Sequence, residues 1–323
     1  MIWLGKEDIE KCLPYNELMP ELKKGFSDDI TVPPRHIHSI GKMPGKADNL
    51  MLLMPAWKKE FTGVKIVSVF PENSLKNIPI VNGIYVLVNN QTGEISALMD
   101  GKVLTARRTA ATSALASSFL SKRKAGSMLM IGTGTMAPEL ISAHAQVRTL
   151  KHIYVWGRNF HKAVKVAEHF KDANFSITPI ERIEDKISEV DIISSATPSL
   201  TPLIKGKLLR PGQYIDLVGG YTPEMREADS ETMKISRIFV DSHESALKEP
   251  GDILTPLNEG VISPENIQAD LFELCKGLKK GRTNDEEIIC FKSVGHALED
   301  LVAAGLINDY LQDNHFNTFL KLE

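Results

Sequence analysis

Three cations in this chain stand where an isolated positive charge is unexpected. Lys65 lies in the middle of "GVKIVSVF", an apolar run that would not choose an ammonium. Arg108 stands at the start of the Ala-rich "TARRTAATSALASSFL", where positive charge opposes the helix dipole unless an anion is held nearby. Arg35 follows Pro33-Pro34 in a rigid stretch. Such groups suit chemistry on a small anion. Singly, each also has an ordinary explanation: an edge-strand lysine that blocks aggregation, a solvated Arg35, a surface charge at Arg107 or Arg108. On spacing alone the ordinary explanations prevail, because charged side chains are mostly solvated.

A second constellation is made of backbone. "MLMIGTGTMA" sets Gly132-Thr133-Gly134-Thr135-Met136-Ala137 directly after a strand and before a helix, the G-x-G-x-x-A form of the dinucleotide fingerprint. The first glycine makes the tight turn, and the second lets backbone approach a pyrophosphate at the helix N-terminus. An NAD site usually keeps an acid about 20 residues on, to hold the ribose hydroxyls. Here the next strand ends in Gly157-Arg158-Asn159 instead. A missing acid and a present arginine favour NADPH, with Arg158 on the 2′-phosphate and NADH still admissible. A further run, "IDLV", stops at Gly219-Gly220 before Tyr221. A strand ending in bare backbone is where an α/β enzyme places a ligand.

Other polar groups are read more plainly. His36 and His38 form a His-x-His beside Arg35 with no third ligand near them in sequence, so no metal is expected. Glu299-Asp300 reads as a cap or interface pair, and His296, after Gly295, as a weaker candidate for the site lining.

The elements that must position these residues have two textures. The first hundred residues carry short apolar runs, "NLMLLMPAW", "GVKIVSVF", "GIYVLVNN" and "GEISALMDG", with a hairpin connection over Asn89–Gly93. They predict an antiparallel or mixed sheet. From Thr105 an Ala-rich helix follows, and after Gly126 strands alternate with helices: "SMLMI", "APELISAHAQV", "HIYVW", "FHKAVKVAEHF", "DIISS", "QYIDLV" and "RIFVDS". That alternation predicts a parallel, doubly wound α/β sheet, closed by "IICFKS". The amphipathic "GHALEDLVAAGLINDYL" is a last helix that packs back on the first domain.

Composition excludes several classes. The chain has 323 residues, 42% hydrophobic, and a formal net charge of -3. This leaves no electrostatic footprint for nucleic acid or an anionic membrane surface. The start is charged within a few residues and is not read as a signal peptide, and no apolar run reaches the roughly 20 residues of a membrane span. Cys12, Cys275 and Cys290 make no metal-spaced pair, which suits a reducing, cytoplasmic compartment.

The segments "PPRHIHSI", "GVKIVSVFPEN", "LTARRTAATSALA", "IGTGTMA", "SATPS", "VGGYTPEMREAD", "FVDS" and "FKSVGHALEDLVAA" occur in this order. Together they resemble the ornithine cyclodeaminase/mu-crystallin family over nearly the whole chain. The resemblance implies a Rossmann-type domain, residues 119–299, inserted in a smaller α+β substrate-binding and dimerisation domain, residues 1–118 plus 300–323. It implies a homodimer whose sheets complete a barrel. It also implies that Arg35, Lys65 and Arg108 bind the carboxylate of an amino or imino acid, with Lys65 and Arg108 catalytic. Thr109 then touches the cofactor phosphates, Gly132, Gly134, Thr135 and Met136 form the pyrophosphate loop, and Arg158 takes the 2′-phosphate. Ala196 and Thr197 fall beside the nucleotide, and Val218, Gly219 and Ser293 near the nicotinamide.

The chain departs from the cyclodeaminase pattern where it matters chemically. Cyclodeaminases carry aspartate after the paired small residues, and this chain has Tyr221. Ammonia expulsion needs an acidic group, and a phenol with an ordinary pKa of about 10 is a poor substitute. The Pro-x-x-Arg-Glu-x-Asp run is closer to mu-crystallin and the imino-acid reductases. The expectation is therefore reduction of a cyclic α-imino acid by NADPH, Δ1-pyrroline-2-carboxylate giving L-proline or the piperideine analogue giving L-pipecolate. Lys65 can also help protonate the developing amine. Ornithine cyclodeamination, alanine dehydrogenation and non-enzymatic NADPH-dependent binding remain the alternatives.

Overall fold

The computed structural model describes residues 1–41, 48–76 and 78–313. The chain divides into two compact units, Met1–Thr109 with His296–Glu323, and Ala110–Gly295.

The first unit contains β1 (Ile2–Leu4), α1 (Lys6–Cys12), α2 (Tyr15–Gly25), β2 (His36–Ser39), β3 (Leu50–Trp57), β4 (Phe61–Val69), β5 (Val81–Asn89) and β6 (Ile95–Asp100). These make a six-stranded sheet in the order β1-β6-β5-β4-β3-β2. It is antiparallel except for β1 and β6, so it is the mixed sheet expected. The β5–β6 hairpin turns where the sequence placed it, with Gly93 at φ +76 donating to the Asn89 carbonyl at 2.8 Å. Side chains alternate across a strand, so one face collects every second residue. Here Met54, Ala56, Lys65, Tyr85, Leu87, Ala97 and Met99 are all buried. Register sets Lys65 between Met54 and Tyr85 in the middle of that face. The strand β4 is interior, so the edge-strand explanation of Lys65 falls.

The helix α3 (Gly101–Leu120) begins four residues before the expected Thr105. The missed signal is Asp100, whose Oδ1 accepts the N–H groups of Lys102 and Val103 and caps the helix. Arg108 therefore sits in the third turn rather than at the opening, and the dipole argument for it does not apply. The helix runs unbroken past Thr109, which is why composition offered no boundary there. The expected break after residue 118 falls inside α3, and the expected break after 299 falls in the last helix. The chain instead leaves the second unit at Gly295, which turns with φ +83. Residues 314–323 of the expected first domain lie outside the described residues.

The second unit contains β7 (Ser127–Ile131), α4 (Met136–Val147), β8 (His152–Trp156), α5 (Phe160–His169), β9 (Ser176–Ile180), β10 (Ile192–Ser195) and β11 (Tyr214–Leu217). It continues with α6 (Ser230–Ile235), β12 (Arg237–Val240), α7 (His243–Ala246), α8 (Gly251–Asn258), β13 (Ile267–Asp270), α9 (Leu271–Cys275) and β14 (Ile289–Lys292). All eight strands are parallel, in the order β13-β12-β14-β11-β10-β7-β8-β9. This is the doubly wound Rossmann-type sheet expected. Its order reverses between β7 and β10, the point at which such sheets bind ligands. Leu129, Ile131, Ile193, Ile215, Leu217, Ile238 and Val240 form its core, each contributing about 1.5–3 kcal/mol by leaving water. Although β14 is the last strand in the chain, it lies inside the sheet, between β12 and β11. Strands β1, β2, β9 and β13 were not anticipated, being short or only partly apolar.

The chain returns to the first unit as α10 (Ala297–Asp313), which packs on α2, β3 and β4. Two glycines allow the close approach. A Cβ on Gly25 would lie 2.4 Å from Val302, and one on Gly305 would lie 2.9 Å from Phe61. The helix is not amphipathic as expected: from Ala297 to Gly305 only Val302 is less than fully buried. Glu299 and Asp300 are thus carried into the interior.

Candidate active-site residues

The buried face of the first unit holds a cluster of four charges. Lys65 is 3% exposed, Arg108 4%, Glu299 1% and Asp300 0%. The Nζ of Lys65 lies 2.7 Å from Asp300 Oδ2 and donates to Thr105 Oγ1 at 3.3 Å. The Nε of Arg108 donates to Asp300 Oδ1 at 3.0 Å, and its Nη1 donates to Glu299 Oε2. Asp300 therefore bridges both cations, and two positive charges meet two negative ones. Glu299 is also a cap, since its other oxygen accepts the His296 N–H at 3.1 Å. The sequence reading of the Glu299-Asp300 pair was half right: one caps α10, but both are ion-paired in the interior.

The electrostatics follow from burial. Burial, and then the neighbouring Arg108, push the Lys65 ammonium down to about 8, while Asp300 holds it up. Burial pushes Arg108 down as well, but Asp300 and Glu299 outweigh it and the guanidinium is raised. For Asp300, burial pushes the carboxyl up, yet Arg108 and Lys65 hold it below the usual carboxylate value. Tyr85, whose ring passes over Gly63, is raised by burial and by Asp300.

Arg35 is half-buried immediately before β2. Its charge is felt at His296, the half-buried residue before α10, whose imidazole is pushed down by burial and by Arg35 and Arg108. Thr109 is half-buried beside Arg108. The structure thus brings Lys65 and Arg108 together, relates Arg35 to them through His296, and adds Thr105, Glu299 and Asp300. His36 and His38 are exposed on the edge strand β2, and no group of three His, Cys, Asp or Glu among the described residues could hold a metal ion.

In the second unit, a cleft of about 870 Å³ opens at the strand-order reversal, lined by Gly132, Gly134, Arg158, Lys162, Ala196 and Thr197 among others. Gly132 has φ +120, and a Cβ there would lie 2.7 Å from the Ala196 carbonyl oxygen, so only glycine fits. A Cβ on Gly134 would meet nothing within 4 Å, which leaves its backbone bare toward the cleft. The helix α4 starts just behind, with Thr135 before it and Met136 in its first turn. Gly157 stands where an NAD site keeps its acid, and a Cβ there would lie 2.6 Å from Thr133. Arg158 is exposed and lines the cleft. Lys162 was missed, though it had a signal: it lies in the first turn of α5, which holds no acid, and a cation there opposes the dipole unless an anion is near. Bare backbone, a helix N-terminus and two cations fit the phosphates of a dinucleotide.

Thr135, Met136, Val218, Gly219 and Ser293 are not among the residues lining this cleft. Val218 and Gly219 follow β11 and Ser293 follows β14. What sits against the Gly219-Gly220 backbone is a carboxylate that sequence reasoning passed over. Glu227 is fully buried and accepts from Gly219 N at 2.6 Å, Gly220 N at 3.3 Å, Thr197 N at 2.7 Å and Thr197 Oγ1 at 3.0 Å. The Ser195 hydroxyl donates to it as well. Burial raises its carboxyl, and Lys292 opposes the rise. Asp252 holds the backbone N–H groups of Glu227 and Ala228 and pairs with Lys292 at 3.1 Å. The strand-end segments 195–197 and 219–220 are thereby tied to one side chain. Tyr221, next in the chain, is 44% exposed.

No helix among the described residues is long and apolar enough to cross a membrane. The sequence pattern of the ornithine cyclodeaminase/mu-crystallin family matches residues 4–315. A Δ1-pyrroline-2-carboxylate reductase of Colwellia psychrerythraea is 35% identical over 313 residues, covering 96% of this chain and 99% of that one. Among solved structures, the Thermococcus litoralis Δ1-pyrroline-2-carboxylate reductase in complex with NADH and L-proline superposes with a TM-score of 0.93 at 34% identity, covering 100% of both chains. An archaeal alanine dehydrogenase dimer with bound NAD gives 0.90 at 27% identity, covering 100% of this chain and 99% of that one.

Proposed function

Because this chain belongs to the ornithine cyclodeaminase/mu-crystallin family, we propose that it is an oxidoreductase that reduces the C=N bond of a cyclic α-imino acid. The first substrate is Δ1-pyrroline-2-carboxylate, giving L-proline, and the six-membered Δ1-piperideine-2-carboxylate is reduced to L-pipecolate by the same chemistry. The observation that carries this reading is the buried pair Lys65 and Arg108, two cations oriented by Asp300 and Glu299 on one face of the sheet. With Arg35, they hold the substrate carboxylate and so fix the imine carbon for attack. A reduced nicotinamide dinucleotide supplies the hydride. Gly132 and Gly134 receive its pyrophosphate with Thr135 and Met136 at the α4 terminus. Thr109, Ala196, Thr197, Val218, Gly219 and Ser293 complete its surroundings.

Arg158, with Lys162 beside it in the cleft, supports NADPH over NADH, since a guanidinium matches a phosphate bidentately. Gly157 in place of an acid supports the same preference. The simple reductase is favoured over the cyclodeaminase by Tyr221, whose phenol burial raises further, so it stays neutral and steers no ammonia. A homodimer is supported by the edge of the first unit's sheet, where β2 is exposed throughout and Ile37 is 57% exposed. Three free, buried cysteines suit the cytoplasm.

A steady-state assay of NADPH loss tests the reading. Consumption with Δ1-pyrroline-2-carboxylate and none with pyruvate plus ammonia is expected, whereas ammonia release from ornithine would overturn it.

A further inference from the structure

The strand ends of the second unit differ in charge on the two sides of the order reversal. At β7 the bare backbone of Gly134 and the start of α4 are positive, with Arg158 and Lys162 lining the same cleft. At β10 and β11 the amides are spent inward. Glu227 Oε2 accepts from Gly219 N at 2.6 Å and Gly220 N at 3.3 Å. Its Oε1 accepts from Thr197 N at 2.7 Å, Thr197 Oγ1 at 3.0 Å and the Ser195 hydroxyl.

These donors fix the charge of the side chain. Burial favours the protonated carboxyl, and Lys292 opposes it. Amides only donate, so a proton on Oε2 would face two N–H groups, and one on Oε1 would face a third. Glu227 is therefore held as a carboxylate. Asp252 Oδ1 accepts the amides of Glu227 and Ala228 at 2.8 and 3.0 Å, and its side chain pairs with Lys292. Two carboxylates against one ammonium leave a negative charge in a fully buried cluster. The residues over it are glycines. A Cβ on Gly219 would lie 2.8 Å from Glu227 Oε1, and one on Gly220 would lie 2.8 Å from Asp252 Oδ2, so the charge rests directly against bare backbone.

Sheet order says what that charge faces. A dinucleotide with its pyrophosphate at the end of β7 and its adenosine side toward β8 and Arg158 has its other half over β10 and β11. Those are the next two strands in order, about 10 Å across.

We infer that Glu227 is a positioning residue that lays a buried negative charge beneath the nicotinamide site and so favours hydride donation. The inference rests on the reading of the second unit as the nicotinamide-dinucleotide site of a reductase. When bound, a reduced dinucleotide supplies a hydride, which carries its bond pair to the imine carbon and leaves one positive charge on the ring. The C=N π pair becomes a lone pair on nitrogen, and that nitrogen takes up a solvent-derived proton. Glu227 stays ionised throughout and acts through the two glycines, without touching the ring. It meets a positive charge only after transfer, so it stabilises the later state more than the earlier one. Asp252 adds to the same field and Lys292 limits it.

A scaffold and a charge are told apart by the two redox forms of the nucleotide. Loosening the strand ends weakens both alike, whereas removing the charge weakens the oxidised form more. The test is the Kd of NADPH and of NADP+, titrated on the full chain without imino acid, for the wild type, Glu227→Gln, Glu227→Asp and Asp252→Asn. In Glu227→Gln the ratio of Kd for NADP+ to that for NADPH should rise about tenfold, the order of one charge–charge interaction across several ångströms at an effective dielectric near 20. Glu227→Asp keeps the charge and should hold the wild-type ratio even where both affinities fall. Asp252→Asn keeps an oxygen for the amides of Glu227 and Ala228 and should raise the ratio by a smaller factor. A ratio unchanged in Glu227→Gln overturns the inference, and so does one that Glu227→Asp raises as far as Glu227→Gln. If Glu227→Gln does not fold, Asp252→Asn decides, and an unchanged ratio there overturns the inference. A wild-type chain that binds neither nucleotide overturns the reading of the cleft itself, and the inference falls with it.

Discussion

Two regions of this protein hold buried polar groups in place with opposite materials. In the first unit the held groups are side-chain charges. Lys65 and Arg108 are buried on a sheet face and held by Glu299 and Asp300. In the second unit they are backbone. The segments 195–197 and 219–220 are held by five donors converging on Glu227. One region is a balance of formal charges and the other a scaffold of amides around one carboxylate. The difference teaches where each is fragile. A charge cluster fails when one partner is removed and its opposite is left buried. A backbone scaffold fails when its acceptor is altered or when a Cβ appears where none fits.

The largest effect is expected from breaking the charge balance. Arg108→Ala leaves Glu299 and Asp300 with Lys65 as the one cation of the cluster, and should cost about 3–5 kcal/mol of stability in urea unfolding. Turnover of the imino acid should be abolished while NADPH binding by the second unit persists. A stability within about 0.5 kcal/mol of wild type, as for an ordinary surface change, would show that the cluster is not the balanced network described.

The scaffold should break differently. Glu227→Gln keeps one acceptor oxygen and turns an NH2 toward backbone donors, leaving at least one N–H unpaired at about 1–3 kcal/mol. Hydrogen exchange should speed up at Thr197 and Gly219 and stay unchanged around Glu299 and Asp300. Faster exchange in both regions would mean that the two do not fail independently.

Two glycines sharpen the contrast inside the scaffold. Gly132→Ala forces a Cβ to within 2.7 Å of the Ala196 oxygen at φ +120, and should lower stability by about 1–3 kcal/mol. Gly134→Ala meets no protein atom, so the melting temperature should hold while NADPH affinity drops. Equal losses of stability in the two variants would refute the distinction.

The same contrast explains what could be read from the sequence. The fold was legible because alternating strands and helices leave a periodic pattern, and the glycine loop because Gly132 needs a positive φ. Of the cations, Lys65 stood out as an ammonium in an apolar run, but spacing alone favoured ordinary explanations, and only the family resemblance grouped it with Arg35 and Arg108. Their partners were not. Glu299 and Asp300 look like ordinary helix-start acids, and only the packing of α10 against β4 carries them to Lys65. Glu227 was hidden for a related reason. Its partners lie up to 32 residues away and are mostly amides, which every residue has. The position of Arg108 along α3 was misread because Asp100, which ends β6, also caps the helix, and that second role was not seen.

The smallest effect belongs to the exposed cations at the cleft. Arg158 is exposed at the surface, so Arg158→Ala should leave unfolding within about 0.5 kcal/mol of wild type. If it grips a 2′-phosphate, the charge-assisted bonds it removes are worth about 1.5–3 kcal/mol, and the ratio of kcat/KM for NADPH to that for NADH should fall at least about tenfold. NADH, which lacks that phosphate, should be used as before. Lys162→Ala should follow with a smaller drop, because an ammonium offers a point charge rather than a fork. The nucleotide ratio decides between the readings: if both variants keep it, neither cation touches the nucleotide's second phosphate site, and Gly157 alone marks the missing acid.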